Sequence, residues 1–270
     1  MNMQTKWAII GLGFIAPRHI EAIKHIGGEV IVTCDNDPLK NADYLDYEVM
    51  MGNEIWKEVT HVAICTPNYL HFPMCRSMRD KIVLCEKPLV LHPGHCLMLP
   101  DNIFTVFQLR HHPEVMRLKE AHLRPQVVKM RVKVKRDEHY WKSWKGDSTK
   151  SGGILYNLGV HYFDLLIHLF GNEYEVLTST ISKTSATGVI TFNGVNCIFD
   201  LAILPDSEGQ DRSLEIDGQE ISLSKQDNLS FEDLHKKVYE SLLKGDGVKP
   251  KEAHLSISLI DAIQQTYGRK

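Results

Sequence analysis

The chain of 270 residues is 43% hydrophobic and 24% charged, which suits two modest cores or one large one, and nothing in this composition suggests disorder. Its formal net charge of -3 excludes the basic excess that a nucleic-acid partner normally demands, and no apolar run approaches the roughly 20 residues that cross a bilayer. Six cysteines, at positions 34, 65, 75, 85, 96 and 197, form no Cys-x-x-Cys pair and mostly fall in apolar runs, so no disulfide framework or metal site is expected, and a cytoplasmic location is.

From the N-terminus, short Val- and Ile-rich runs alternate with polar segments, the pattern of a parallel sheet with crossover helices. Strands are expected at Trp7 to Ile10, Val30 to Cys34, His61 to Cys65, Ile82 to Cys85 and Ile103 to Phe107, and a helical run at Pro17 to His25. Between the last two strands, His92-Pro93-Gly94 and Leu99-Pro100 leave room for only a turn or two of helix. After Pro113 the character changes. A helix near Glu114 to His122 leads into Val128 to Arg136, where Val128, Met130, Val132 and Val134 alternate with Lys129, Arg131, Lys133 and Lys135. That is a half-buried strand with a cationic outer face.

Tyr174 to Leu223 reads as several antiparallel strands, with Asn193-Gly194 and Asp217-Gly218 as hairpin turns. Ser230 and Asp233 resemble a capping box ahead of a helix over Phe231 to Lys244, which Gly245 stops. A last helix, about Glu252 to Tyr267, places Leu255, Leu259, Ala262 and Ile263 on one face. The fold class is therefore α/β, a doubly wound parallel sheet over residues 1–112, followed by an α+β unit over 113–270.

Three segments carry chemistry. Gly11-Leu12-Gly13-Phe14-Ile15-Ala16 follows a strand and opens a helix, so Gly11 and Gly13 let the backbone turn and approach a pyrophosphate at the helix N-terminus, with Phe14 and Ile15 beside it. Asp35, at the end of the second strand, is the expected acceptor for a ribose diol and would repel a 2′-phosphate, which favours NAD over NADP. The alternative is a plain strand-to-helix turn with a loop-capping aspartate. Thr66, Pro67 and Asn68, in the run Cys65 to His71, and Glu86-Lys87-Pro88 end the next two strands at the same sheet edge, where a cofactor crevice opens. His161 begins an apolar helix after Gly152-Gly153-Ile154-Leu155-Tyr156-Asn157-Leu158-Gly159, with Asp164 and His168 near the same face. Asp164 reads as a carboxylate orienting the His161 imidazole, and His168 as a partly buried histidine. Arg110 and His111 are expected to line the cleft between the units, or else to make structural hydrogen bonds there.

These residues resemble the sugar and cyclitol dehydrogenase family that includes glucose–fructose oxidoreductase and inositol 2-dehydrogenase. Within it the likeness is greatest to UDP-N-acetylglucosaminuronate 3-dehydrogenases of surface-polysaccharide synthesis. It rests on Ile15-Ala16-Pro17-Arg18-His19, Pro67 to His71, Cys85 to Leu89, Gln108 to His112, Trp141 to Asp147 and Asn157 to His161. The resemblance implies a Rossmann domain followed by an open, largely antiparallel sheet. Lys87 and His161 then lie in the active site, joined by Asn157, which stands where many relatives have aspartate. Thr66, Pro67, Asn68, His71, Glu86 and Lys87 would be cofactor contacts.

Oxidation at a carbinol carbon requires the hydroxyl proton to leave as hydride passes to NAD. His161 is expected as the base and Lys87 as the cation that positions the hydroxyl, although a Lys87 of lowered pKa would itself serve as base. For a nucleotide-sugar substrate, Arg18, Lys142 and Lys145 are candidate counter-charges and Trp141 and Trp144 candidate stacking surfaces. A loop with snorkelling lysines is the alternative. Two other readings stand beside the nucleotide-sugar dehydrogenase: a dehydrogenase of a free sugar or inositol, and an NAD-binding regulator without catalysis. A homo-oligomer, dimer or tetramer, is expected, provided Glu173, Glu175 or Glu215 interleave with the cations of the outer sheet face.

Overall fold

A computed structural model of the protein describes residues 4–205, 209–223 and 231–267. In chain order the elements are β1 (Lys6–Ile10), α1 (Ala16–His25), β2 (Glu29–Cys34), α2 (Tyr47–Met51), β3 (His61–Ile64), α3 (Asn68–Ser77), β4 (Ile82–Cys85), α4 (Pro93–Cys96), β5 (Ile103–Thr105), α5 (Pro113–Glu120), β6 (Val127–Lys135), α6 (Glu138–Lys142) and α7 (Ser148–Ser151). They continue as α8 (Val160–Phe170), β7 (Tyr174–Ile181), β8 (Ser185–Phe192), β9 (Val195–Leu204), β10 (Asp211–Ile216), β11 (Gln219–Ser222), α9 (Phe231–Leu243) and α10 (Pro250–Tyr267). Ser230, half of the expected capping box, lies outside the described residues.

The first sheet is parallel, ordered β2-β1-β3-β4-β5. Its central strands are mostly apolar because both faces are covered. Trp7 and Ile9 point to one side with Ala63, Leu84 and Phe104, whereas Ala8 and Ile10 point to the other with Val62, Val83 and Met74. The strand order reverses between β1 and β3, so a crevice opens beyond their carboxyl ends. The connection from β4 to β5 holds only the single turn α4, as its prolines dictate.

The second sheet is ordered β11-β10-β6-β9-β8-β7, antiparallel except for the β6–β9 pair. Strand β6 alternates as read from the sequence, with Val128, Met130, Val132 and Val134 buried. Both hairpin turns place Asn193, Gly194, Asp217 and Gly218 at positive φ. The outer face is less cationic than its β6 residues suggest, because Glu215 accepts from Lys129 (2.6 Å) and Arg131 (3.1 Å), and Asp200 lies 3.2 Å from Lys133.

Two features depart from the sequence reading. Helix α10 buries Ala253, Ser256, Ile257, Leu259, Ile260 and Ile263, whereas Leu255 and Ala262 are only half-buried. The expected stripe is rotated because α10 is packed by β7, α8 and α4 together. Helix α9 lies on α1 and buries Val238, Tyr239 and Leu242 against Trp7, Ile9 and Phe104 of the first sheet, each contributing roughly 1.5–3 kcal/mol. Beyond it, Thr105 donates its backbone N–H to the Val248 carbonyl (2.9 Å), so the returning chain also covers the β5 edge.

Candidate active site

The glycine loop connects β1 to α1 at the crevice. Gly11 has φ +92°, and a Cβ there would lie 2.8 Å from the Cys65 carbonyl carbon and oxygen, so this close approach of β1 to β3 requires glycine. Gly13 faces open space, Phe14 is 82% exposed, and no side chain caps α1 at Ile15. An uncapped helix N-terminus behind an open glycine is what a pyrophosphate fits. Asp35 is half-buried at the end of β2; its carboxylate accepts from Leu12 N–H (2.6 Å) and Asp37 N–H (2.9 Å), which ties the glycine loop to the ribose side of the crevice. The residues present thus suit NAD, with Gly11 to Ile15 around the pyrophosphate and Asp35 near the ribose.

Beyond β3, Thr66 and Pro67 are half-buried at this edge, whereas Asn68 is buried and donates to the Ser151 carbonyl of α7 (2.8 Å). His71 is buried too, with its ring nitrogens 2.7 and 2.9 Å from the carbonyl oxygens of Pro88 and Thr66. It clamps the chain behind the crevice. Glu86 is also turned inward, toward α1 and α9. The run that looked like a row of cofactor contacts therefore divides by burial: Thr66, Pro67 and Lys87 stay at the edge, and Asn68, His71 and Glu86 lie behind it.

Lys87 follows β4, with a cis peptide bond to Pro88, and its Nζ donates to the Asn157 carbonyl (3.0 Å). That carbonyl lies in a π-helical turn, Leu155–Gly159, leading into α8. Such a turn departs from the ordinary i to i+4 ladder, and here its Asn157 oxygen accepts from the lysine. A Cβ on Gly159 would lie 2.7 Å from the Phe163 ring and 2.8 Å from Leu201, so glycine lets the turn press onto β9. The Asn157 amide donates to the Tyr140 hydroxyl (2.7 Å), and the Arg136 guanidinium lies over the Tyr140 ring, 5.4 Å from its centroid.

Burial lowers the Lys87 pKa to about 8; Glu86 opposes the shift, while Lys145 and Arg136 add to it. His161 is half-buried beside Phe107, and its Nδ1 is enclosed without a hydrogen-bond partner among the described residues. Burial first, then the charge of Lys87, holds the imidazole well below its usual range, so it is neutral near pH 7. A neutral imidazole with an unsatisfied buried nitrogen and a lysine near its titration point belong to proton-transfer chemistry.

Several expected site residues are engaged elsewhere. Asp164 does not orient His161: it is buried, receives Arg110 Nε (2.8 Å) and Nη2 (2.7 Å), and accepts from the Ser256 hydroxyl (2.9 Å). The third Arg110 nitrogen donates to Glu252 (2.9 Å), so this guanidinium joins α8 to α10. His111 is half-buried in the field of Arg110, Glu240 and Lys237, toward α9. His168 is half-buried, as read from the sequence, and burial lowers it to about 4. Lys142 is exposed and lies 2.8 Å from Glu138. Lys145, half-buried over the Trp144 ring, is instead the cation whose charge reaches Lys87. Arg18 stacks over Phe14 at 5.6 Å.

Sequence reasoning missed Tyr140 and Arg136. The aromatic run Tyr140-Trp141 was visible, but nothing local linked it to Asn157. Tyr140, Trp141 and Lys145 also line a hollow of about 420 Å³ with Gly152, Gly153 and Lys183. Lys183 lies 5.1 Å from the Trp141 ring centroid.

The NAD-binding Rossmann fold of an oxidoreductase family matches residues 5–101, and the C-terminal alpha/beta domain of the same family matches residues 124–189. Among solved structures, the WlbA (WbpB) dehydrogenase of Thermus thermophilus with NAD and alpha-ketoglutarate is 31% identical, covers 97% of this chain and 95% of its own, and superposes with a TM-score of 0.85. The same protein with NAD and UDP-GlcNAcA gives 30% identity, the same coverage and 0.84. An inositol 2-dehydrogenase/D-chiro-inositol 3-dehydrogenase of Lactiplantibacillus plantarum is 23% identical over 74% of this chain, and a glucose-6-phosphate 3-dehydrogenase of Bacillus subtilis is 24% identical over 69%. The chain spans 65% and 59% of the lengths of these two curated relatives. No described helix is long and apolar enough to cross a membrane. With a doubly wound sheet, a glycine loop suited to a pyrophosphate and two matching domains in order, the chain belongs to the GFO/IDH/MocA oxidoreductase family and carries its NAD-binding Rossmann domain.

Proposed function

We propose that the protein oxidises a secondary hydroxyl, the 3-hydroxyl of a nucleotide-linked amino sugar such as UDP-N-acetylglucosaminuronate, with NAD as the oxidant in surface-polysaccharide sugar synthesis. NAD, held by Gly11 to Ile15 and Asp35, would supply the acceptor for a hydride; the chain's own residues handle the proton. The observation that carries the reading is the enclosed, unpartnered Nδ1 of a neutral His161 within the field of the Lys87 ammonium. A substrate hydroxyl entering beside Lys87 would donate to this half-buried imidazole. Lys87, charged below about pH 8, would stabilise the alkoxide that develops as the proton leaves. The Asn157 carbonyl holds the ammonium in place, and Tyr140, fixed by the Asn157 amide, borders the same space.

For the nucleotide, Trp141, Lys145 and Lys183 along the adjacent hollow supply a flat apolar surface and two cations, the chemistry that a base and a pyrophosphate require. Lys142, paired with Glu138, drops out of this set. The complex of the Thermus thermophilus relative with UDP-GlcNAcA supports the substrate class. The names of the two curated relatives favour, as a second reading, a free or phosphorylated sugar or a cyclitol. Association of copies through the outer face of the second sheet belongs to the same proposal, since Glu215 and Asp200 neutralise the β6 cations that would otherwise repel.

The test is NADH formation by purified protein with UDP-N-acetylglucosaminuronate, glucose 6-phosphate and myo-inositol side by side. The nucleotide sugar should turn over at least tenfold faster, and His161→Ala should slow it by about 10²–10⁴. Preference for either unlinked compound, or near-normal turnover in the variant, would refute the reading.

A further inference from the structure

One residue before Lys87, a polar cluster unused by the proposed chemistry lies wholly in the interior. Glu86, His19 of α1 and His235 of α9 are all buried. Glu86 Oε1 lies 3.0 Å from His19 Nε2 and 3.4 Å from His235 Nε2, and its Oε2 accepts the Lys87 backbone N–H (3.2 Å). His19 Nδ1 lies 2.7 Å from the Tyr239 hydroxyl, which α9 presses into the same core against Trp7. A carboxylate only accepts, so both imidazoles point N–H groups at Glu86, and the remaining His19 nitrogen accepts from Tyr239.

A buried carboxylate is costly unless it is hydrogen-bonded. Burial pushes the Glu86 carboxyl upward, but the hydrogen bonds from His19 and His235 outweigh it, and the group is held well below its ordinary range. The charged and titratable groups that face Glu86 are these two histidines and Tyr239, Cys65 after β3, Cys85 on β4, His71 on α3, Lys87 and His161 on α8. Glu86 is the anion acting on Lys87; Lys145 and Arg136 are the opposing cations.

We propose that His19, His235 and Tyr239 are positioning residues: they hold Glu86 as an interior carboxylate next to Lys87 and so keep the lysine protonated when substrate arrives. Helix α9, which lies on α1 and the outer side of the first sheet, thereby sets the charge state of the active-site lysine. The inference rests on the proposed role of Lys87. The alternative occupant of the cluster is a metal ion, since the three ligand atoms lie within 4.8 Å of one another; it would require both Nε2 protons to leave.

The experiment is pH-dependent acetylation of Lys87 by acetic anhydride in the full chain, read by peptide mass spectrometry, which needs no substrate. In the parent protein, reactivity should rise through about pH 8. Glu86→Gln should move that midpoint down by about one unit or more, or roughly tenfold more labelling at pH 7. His235→Leu should shift it in the same direction, and His235→Gln, which keeps a donor where Nε2 stood, should restore it, with circular dichroism confirming the fold of each. An unmoved midpoint in Glu86→Gln, equal shifts in the two His235 variants, or a stoichiometric transition metal lost in Glu86→Gln would overturn the inference. Full turnover in Lys87→Ala would instead sink the functional reading, leaving the labelling result to stand on its own.

Discussion

Arg110→Met tests whether this guanidinium serves the fold or a substrate. In the parent protein two charge-assisted hydrogen bonds of 2.8 and 2.7 Å reach Asp164, which is 1% exposed, and a third of 2.9 Å reaches Glu252. The Glu252 side chain is half exposed, so its share is screened and small. The larger cost is the carboxylate left behind: among the described residues Asp164 would keep only the Ser256 hydroxyl inside an apolar helix interface. Removing one member of a buried pair costs about 3–5 kcal/mol, which for a chain of this size lowers Tm by about 6–15 °C. Calorimetry and urea unfolding measure it. The double variant Arg110→Met with Asp164→Leu should recover most of the loss, because no orphaned charge remains. A single variant with unchanged Tm and a raised KM would refute the argument and return Arg110 to the substrate.

If Lys87 acts as the cation, kcat/KM for alcohol oxidation falls as pH rises through about 8, because the lysine loses its proton there; a rise across the same range would make Lys87 the base. Asp35→Ala removes the acceptor that pins Leu12 and that would face the ribose in the proposed NAD site, and should weaken NAD binding about ten- to hundredfold by fluorescence titration while narrowing its preference over NADP. Equal NAD affinity in parent and variant would count against that placement. Gly159→Ala drives a methyl into Phe163 and Leu201, a cost of about 1–3 kcal/mol, and should lower both Tm and turnover because the turn carries the Asn157 carbonyl. Unchanged melting would show that α8 has room to shift.

Much of the scaffold was legible because it is written locally. Continuous apolar runs gave the parallel strands, strict alternation gave β6, and Asn-Gly and Asp-Gly marked hairpins that need positive φ. The glycine loop was readable for the same reason, since spacing along one strand-turn-helix unit fixes its geometry. What escaped was pairing across long sequence distances. Arg110 and Asp164 are 54 residues apart, and Glu86 and His235 are 149 apart, so no periodicity connects them. Proximity in sequence also misled: Asp164 sits one turn from His161, yet the helix turns it toward α10. Lys142 and Lys145 look equivalent until the break between α6 and the next turn sends one to solvent and the other toward Lys87.

The return of α9 and Val248 to the first sheet has a consequence for how the polypeptide can be made and cut. During synthesis the nucleotide-binding half cannot close its outer layer until residues near 248 have left the ribosome, so both halves mature late and together. A fragment ending at residue 112 would lose the α9 cover over Trp7, Ile9 and Phe104, and a protease nick between the sheets would leave two pieces still held by the helix they share.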